Sequence, residues 1–227
     1  MMIQSRDLEI LKTCYEQQFL FMEHVERYYF PGAASQNARK RISELVEAQF
    51  LSKEYHPLSG KRCLIRITRL GIACLQQTYP TSVPQVKRIA PATLIHDAIV
   101  TSVRLRLKEL WDGSWIPERL LKKTEFPQIP DGLVLFESGK RIAIEVENSL
   151  KGKQRFLSLM DRWKDTSISL VLYIATQAEL AEIIRTYLQA GPKKPLFGLT
   201  TWEQLRDQTP RPFSTHGELD LFSRRTF

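Results

Sequence analysis

Apolar residues recur at helical spacing in three stretches of the first fifty residues, and beyond residue 93 the chain switches between helical and strand periods. Ser5 is placed to N-cap a first helix from Arg6 that carries Leu8, Leu11 and Leu20, and a second covers about 21 to 29 before Pro31-Gly32 stops it. A third is predicted from Ser35 to Gln49. Its apolar positions Ala38, Ile42, Leu45 and Val46, together with Gln49, share the face that would be buried, while Arg39, Lys40 and Ser43 lie largely away from it. Two short strand-like runs then flank Pro57-Leu58-Ser59-Gly60, whose turn chemistry fits a hairpin tip, and a further helix enters through Thr68.

The pattern breaks at TYPTSVPQVKRIAP, residues 78–91, where prolines interrupt any helical period. This predicts a first domain over 1–80, a linker over 81–91 and a second domain over 92–227. In the second, Thr93 caps a helix of 93–110, followed by strand-like SWIPE, the hairpin DGLVLFESGKRIAIEVE, a helix over 151–164, the strand ISLVLYIA, a helix over 177–189 and a short strand at LFGLT. That order is α/β, α+β for the whole chain, with a mixed sheet flanked by helices. The run SLVLYI is apolar throughout, which predicts a strand covered on both faces.

Composition narrows the classes. With 227 residues, 43% of them hydrophobic, the chain has the material for a core, and disordered or low-complexity classes are excluded. A formal charge of +8, denser over residues 1–90, favours a polyanionic partner such as nucleic acid, because clustered Lys and Arg release counterions condensed on phosphates. Uninterrupted apolar runs of about 18 residues are missing, and the first residues carry charges where a signal peptide has its apolar stretch, so no membrane partner and a cytoplasmic location are expected. Cys14, Cys63 and Cys74 are odd in number and lack zinc-site spacing, which predicts buried thiols without a disulfide partner.

Three helices, a basic third helix and a hairpin with Lys61 and Arg62 near its tip resemble a winged helix-turn-helix, and Ile67-Thr68-Arg69-Leu70-Gly71 resembles the passage from wing to last helix. The resemblance implies double-stranded DNA as partner. A helix fits the major groove while a wing grips the adjacent backbone, so Gln36, Asn37, Arg39, Lys40, Lys53, Lys61 and Arg62 are the candidate contacts. The alternative use of such a domain is dimerisation or peptide binding.

Candidate chemistry lies in the second hairpin. Residues two apart on a strand share a face, so Glu145 and Glu147 point the same way. A three-residue loop Ser138-Gly139-Lys140 pairs Glu137 with Arg141, Val134 with Ile144 and Asp131 with Glu147, and sets Asp131 diagonal to Glu145, with Cβ separations of about 5 to 8 Å. Carboxylates so gathered repel unless a proton or cation compensates. Mg²⁺ or Mn²⁺ suits them, with Asp131 and Glu145 as first ligands and the Val146 carbonyl between them.

Pro130-Asp131 followed by Glu145-Val146-Glu147, in a helix–strand–hairpin–helix–strand order over about residues 93–175, resembles the PD-(D/E)XK nuclease superfamily. The resemblance implies a restriction-endonuclease-like fold and metal-dependent hydrolysis of DNA. Glu147 stands where that pattern usually has lysine. In some members a Glu there implies a further ligand or general base, and elsewhere loss of the lysine accompanies loss of activity. Lys151 or Lys153 is placed to return a cation to the site, while Asp97 or Glu118 as extra acidic ligands and His96 as a water- or phosphate-orienting group follow from the same resemblance.

With HDAIVTSVRL, WIPERLL, IPDGLV and IAIEVENSLKGKQRF, the chain as a whole also resembles the replication-relaxation family of plasmid and mobile-element proteins. The first expectation is a Mg²⁺-dependent DNA endonuclease, with a homodimer if both strands are cut. The alternative is a non-catalytic DNA-binding regulator or mobilisation accessory protein with a degenerate nuclease fold, and an RNA-directed protein is a weaker third. The terminal stretch with His216 and Leu221-Phe222 reads as an arm packing on the domain or on a second protomer.

Overall fold

Asp7 decides where the first helix begins. Its carboxylate accepts the backbone N–H of Gln4 at 2.8 Å, so in the computed structural model α1 spans Ser5–Gln17 with Gln4, rather than Ser5, as N-cap. The structure describes residues 2–60, 62–81, 89–122, 126–207, 213–214 and 217–218. Asp7 is fully buried and also accepts from Arg41 Nε at 3.0 Å and Nη2 at 2.5 Å, which pins α1 to α3 (Ser35–Glu47). The pair holds the Arg41 guanidinium above its ordinary pKa.

α1 stops at Gln17 because Gln18 turns into the left-handed region at φ 73°. Leu20, expected on that helix, instead belongs to β1 (Leu20–Phe21), which leads into α2 (Met22–Tyr29). α3 ends before Gln49, which is exposed at φ 62° and therefore does not belong to the buried face; Ala38, Ile42 and Leu45 do. β2 (Leu51–Tyr55), a 3₁₀ turn (Pro57–Ser59) and β3 (Cys63–Ile67) form the expected hairpin, and β1 extends it to an antiparallel sheet of order β1-β3-β2. Thr68 caps α4 (Arg69–Leu75) as expected, accepting the Gly71 N–H at 3.1 Å. Of the three free thiols Cys14 is buried, whereas Cys63 and Cys74 are only half-buried.

His24 is also buried in this unit. Its Nδ1 accepts the Phe21 N–H at 3.2 Å, so the ring proton sits on Nε2 and points to Ser102 Oγ at 2.9 Å, which in turn donates to the Ala98 carbonyl at 3.0 Å. Burial pushes the imidazole down from 6.5 to about 4, with Glu23 pulling it up and Arg62 pushing it further down. A neutral folded histidine stabilises the fold fully above pH 6.5, and the contribution fades as pH falls toward 4 because the unfolded chain takes up the proton first. The expected loss is about 3 kcal/mol. Urea titrations at intervals between pH 7 and 4 will show it in the wild type, and a His24→Gln variant will show a flatter profile.

The chain divides into two units, residues 1–102 and 103–227. Most of the predicted 81–91 linker lies outside the described residues, and the division falls within α5 (Leu94–Leu110). The reason is packing: Leu94 and Ala98 in the first turns of α5 join Phe19, Phe21, Leu64 and Ile89 in one buried cluster.

The second unit carries a sheet of seven strands among its described residues, in the order β10-β9-β8-β7-β6-β5-β4. β4 (Ser114–Pro117), β5 (Gly132–Leu135) and β6 (Arg141–Glu147) are antiparallel neighbours. β7 (Leu170–Ala175) and β8 (Leu196–Thr201) follow parallel through α7 (Lys153–Asp161) and α8 (Ala178–Ala190), and the short β9 (Phe213–Ser214) and β10 (Gly217–Glu218) complete the edge. α9 (Trp202–Asp207) follows β8. The run SWIPE is a strand only to Pro117, since Glu118 opens the short helix α6 (Glu118–Leu121). β7 is buried along its whole length and central, as its apolar run predicts. Ala143, Val171 and Tyr173 share the sheet face that packs with Phe156, Met160 and Trp163 of the α7 region and with Leu180, Ile184 and Leu188 of α8.

The β5–β6 register differs from the expected one. Val134 faces Ile142 and Leu135 faces Arg141, so the expected pairs Glu137–Arg141, Val134–Ile144 and Asp131–Glu147 do not form. The loop is Glu137-Ser138-Gly139, closed by Phe136 N–H to Lys140 O at 3.1 Å and Gly139 N–H to Phe136 O at 2.9 Å. Its last position is left-handed, with Gly139 at φ 81°, and a three-residue hairpin loop takes glycine there rather than in the middle. The correction moves each partner by two, so the faces survive and only the opposite numbers change. The fold is mixed α/β, α+β overall, and among the described residues no helix is long and apolar enough to cross a membrane.

Candidate functional site

Continuing the β5–β6 register by one residue sets Asp131 opposite Glu145, closer than the sequence suggested. Asp131 Oδ2 accepts the Val146 N–H at 2.7 Å, which fixes its carboxylate against β6. Beside it Gly132 leaves room for the Trp115 ring, since a Cβ there would come within 2.0 Å of Trp115 Cζ2. Glu145 and Glu147 are buried on β6, 8% and 4% exposed. In β7 Tyr173 lies opposite Glu145, and from the loop before β5 Gln128 Nε2 donates to Glu145 Oε1 at 3.5 Å.

Burial, and next the negative charge of Asp131, raise Glu145 well above the usual carboxylate range; Lys151 and the Gln128 hydrogen bond pull it back, and Glu147 adds to the rise. Burial and the same two glutamates raise the Tyr173 hydroxyl well above its ordinary value. Glu147 is answered differently, by an ion pair with the Lys151 ammonium. Burial and the neighbouring carboxylates therefore oppose ionisation of Glu145.

Lys151 thus enters the carboxylate group from the segment before α7, while Lys153 is exposed at the first residue of that helix. Glu118 lies at the rim: its N–H donates to the Asp131 carbonyl at 3.3 Å, and its side chain pairs with Lys122 at 2.8 Å. His96 and Asp97 lie in the first turn of α5, which belongs to the N-terminal unit, and Asp97 accepts from Thr93 Oγ1 at 2.9 Å. His216 and Leu221-Phe222 lie outside the described residues. Sequence reasoning missed Gln128 and Tyr173. Nothing marks Gln128 in its polar loop, but a hydroxyl-bearing ring inside the apolar run LVLYIA was a usable signal.

The donor set suits a hard cation. Mg²⁺ takes one or two carboxylates and completes its shell with water, so Asp131 and Glu145 would be enough to hold it. Among the described residues no group of three or more His, Cys, Asp or Glu is arranged as a metal cage.

In the N-terminal unit Gln36, Asn37, Arg39 and Lys40 are all exposed along α3. Arg39 pairs with Glu26 at 3.0 Å, and Lys53 Nζ donates to Ser43 Oγ at 3.3 Å. Arg62 is engaged in the fold: its guanidinium lies 4.1 Å from the Phe21 ring centroid, pairs with Glu23 at 3.2 Å and donates through Nε to the Ser59 carbonyl at 2.9 Å. Lys61 lies outside the described residues. An open depression of about 610 Å³ separates the end of α3 from the start of α4, with Val46, Leu51, Lys53, Thr68, Arg69 and Leu70 in its lining.

Comparison with protein-family models, with curated proteins and with solved structures returned no match.

Proposed function

We propose that the protein binds double-stranded DNA through its N-terminal unit and hydrolyses phosphodiester bonds at Asp131 and Glu145 with Mg²⁺ or Mn²⁺. The observation that carries this reading is the meeting of two carboxylates from adjacent strands, one of them buried, with a lysine ammonium on the neighbouring Glu147. The order α5-β4-β5-β6-α7-β7, antiparallel through β6 and then parallel, supports the PD-(D/E)XK resemblance. Three helices followed by the β2–β3 hairpin and α4 support the winged helix-turn-helix. By the replication-relaxation resemblance, the setting is plasmid or mobile-element biology.

A bound divalent ion supplies an activated water and stabilises charge on the leaving oxygen. The chain's own residues do the rest. The Val146 N–H holds Asp131 in place and Gln128 orients Glu145. Lys151, from its ion pair with Glu147, offsets negative charge on the phosphate, and Lys153 adds a second cation at the start of α7, where the helix dipole also favours an anion. Glu147 would accept a proton from the water or join the ligands of the ion. Cutting both strands calls for two such sites, hence a homodimer.

The second reading, a DNA-binding regulator or mobilisation accessory, is favoured by one feature: Glu147 and Lys151 neutralise each other. A plasmid-nicking assay with Mg²⁺ and Mn²⁺, run beside a DNA-binding control, separates the two. Nicking by the wild type and none by Asp131→Ala, with binding equal in both, is the expected outcome. Binding without nicking on any DNA form favours the regulator, and nicking by Asp131→Ala at the wild-type rate contradicts the site.

A further inference from the structure

At the outer end of the β2–β3 wing, Ser59 and His56 turn polar groups back onto the turn. Ser59 is fully buried, with Oγ 2.7 Å from the carbonyls of both His56 and Arg62. His56 Nδ1 accepts the Leu58 N–H at 3.2 Å, and Gly60 makes the turn at φ 62°. Among the described residues of this end, two large side chains stand out into solvent: Tyr55 is 77% exposed and Leu58 56%. Because local hydrogen bonds already fix the turn, these side chains are presented with little left to order on binding.

Tyr55 continues the surface of α3. Lys53 and Tyr55 are two apart on β2 and share a face. Lys53 donates to Ser43, which lies three and four residues along α3 from Lys40 and Arg39, so that helix, Lys53 and Tyr55 follow one another on one side of the unit. Cations for phosphates thus run into an aromatic ring suited to the face of a base. In an intact duplex those faces are hidden in the stack, and only an unpaired base offers one.

We propose that the wing tip is a base-stacking platform, and that the N-terminal unit takes duplex DNA bordered by unpaired bases, with Tyr55 stacking on the first of them and Leu58 packing beside it. The proposal rests on the DNA-binding reading of this unit and names the DNA form it selects. Apolar side chains that pack on or between bases hold distorted nucleic acid in this way.

The test is fluorescence anisotropy of the full chain at fixed salt with three labelled DNAs: a fully paired duplex, the same duplex with a short unpaired fork, and the single strand. A 2-aminopurine at the first unpaired position reports stacking by its quenching. The wild type is expected to prefer the fork over the paired duplex by about tenfold and to quench the probe. Tyr55→Ala loses both the preference and the quenching while keeping its affinity for paired duplex, and Tyr55→Trp keeps both. Both substitutions are at an exposed position, so unchanged thermal melting verifies the fold. Equal affinity for paired and forked DNA with an unquenched probe overturns this inference and leaves DNA binding intact. Equal weakening on all three DNAs in Tyr55→Ala overturns it too. Binding to none of them overturns the DNA reading as well.

Discussion

Glu145→Gln is expected to make the protein more stable and catalytically silent at once. The carboxyl of Glu145 is buried beside Asp131, and both the burial and that neighbouring charge oppose its ionisation. A glutamate whose folded pKa is raised favours the fold fully below its ordinary 4.5, and this contribution is lost as pH rises through the folded value. At neutral pH and above, the wild-type chain therefore carries a penalty that a neutral amide of the same shape removes. Relief of a buried, poorly compensated polar group is on the order of 1–3 kcal/mol. Urea denaturation without divalent ions is the check: the variant gains over the wild type as pH rises above 4.5, and the gain vanishes below it. Under the nuclease reading, the same variant loses at least about a hundredfold in nicking rate. A variant less stable than the wild type at pH 8 would show that Glu145 is instead a well-compensated structural charge.

Asp7→Ala is expected to cost the N-terminal unit about 3–5 kcal/mol, the range for removing one partner of a buried ion pair. Asp7 is fully inaccessible, takes both Nε and Nη2 of Arg41, and accepts the Gln4 N–H that opens α1. Its loss leaves Arg41 with Glu44 and the Met2 carbonyl, both nearer the surface, and removes the start of the helix as well. Asp7→Asn, which keeps an acceptor for Gln4 but not the charge, should fall between the two. Calorimetric melting is the check, and a loss below about 1 kcal/mol for Asp7→Ala would place this pair among weak surface bridges.

Much of this architecture was legible in the residues. The third helix, the hairpin around PLSG, the Thr68 cap and the central apolar strand follow from periodicity and capping, which act locally. The failures were long-range or conformational. β1 is only two residues and exists because β3 offers it an edge, so no local pattern distinguishes Leu20 from one more turn of α1. The hairpin register turned on one glycine: matching apolar pairs allowed the loop at 138–140, but the left-handed position had to fall on Gly139 at the loop's end. That correction brought Asp131 opposite Glu145 and left Glu147 to Lys151. Arg62 looked like a wing-tip cation, yet Phe21 and Glu23, far back in sequence, take it up. Gln128 reaches Glu145 from a loop whose course only the sheet determines.

Calorimetric titration of Mn²⁺ into the wild type and into Asp131→Asn tests the central claim most directly, because the amide still accepts the Val146 N–H while the charge is gone. Saturable binding of one ion by the wild type, lost in a variant that melts at the same temperature, is the predicted result. A folded wild type that binds no ion, or a variant that binds as tightly, would contradict it.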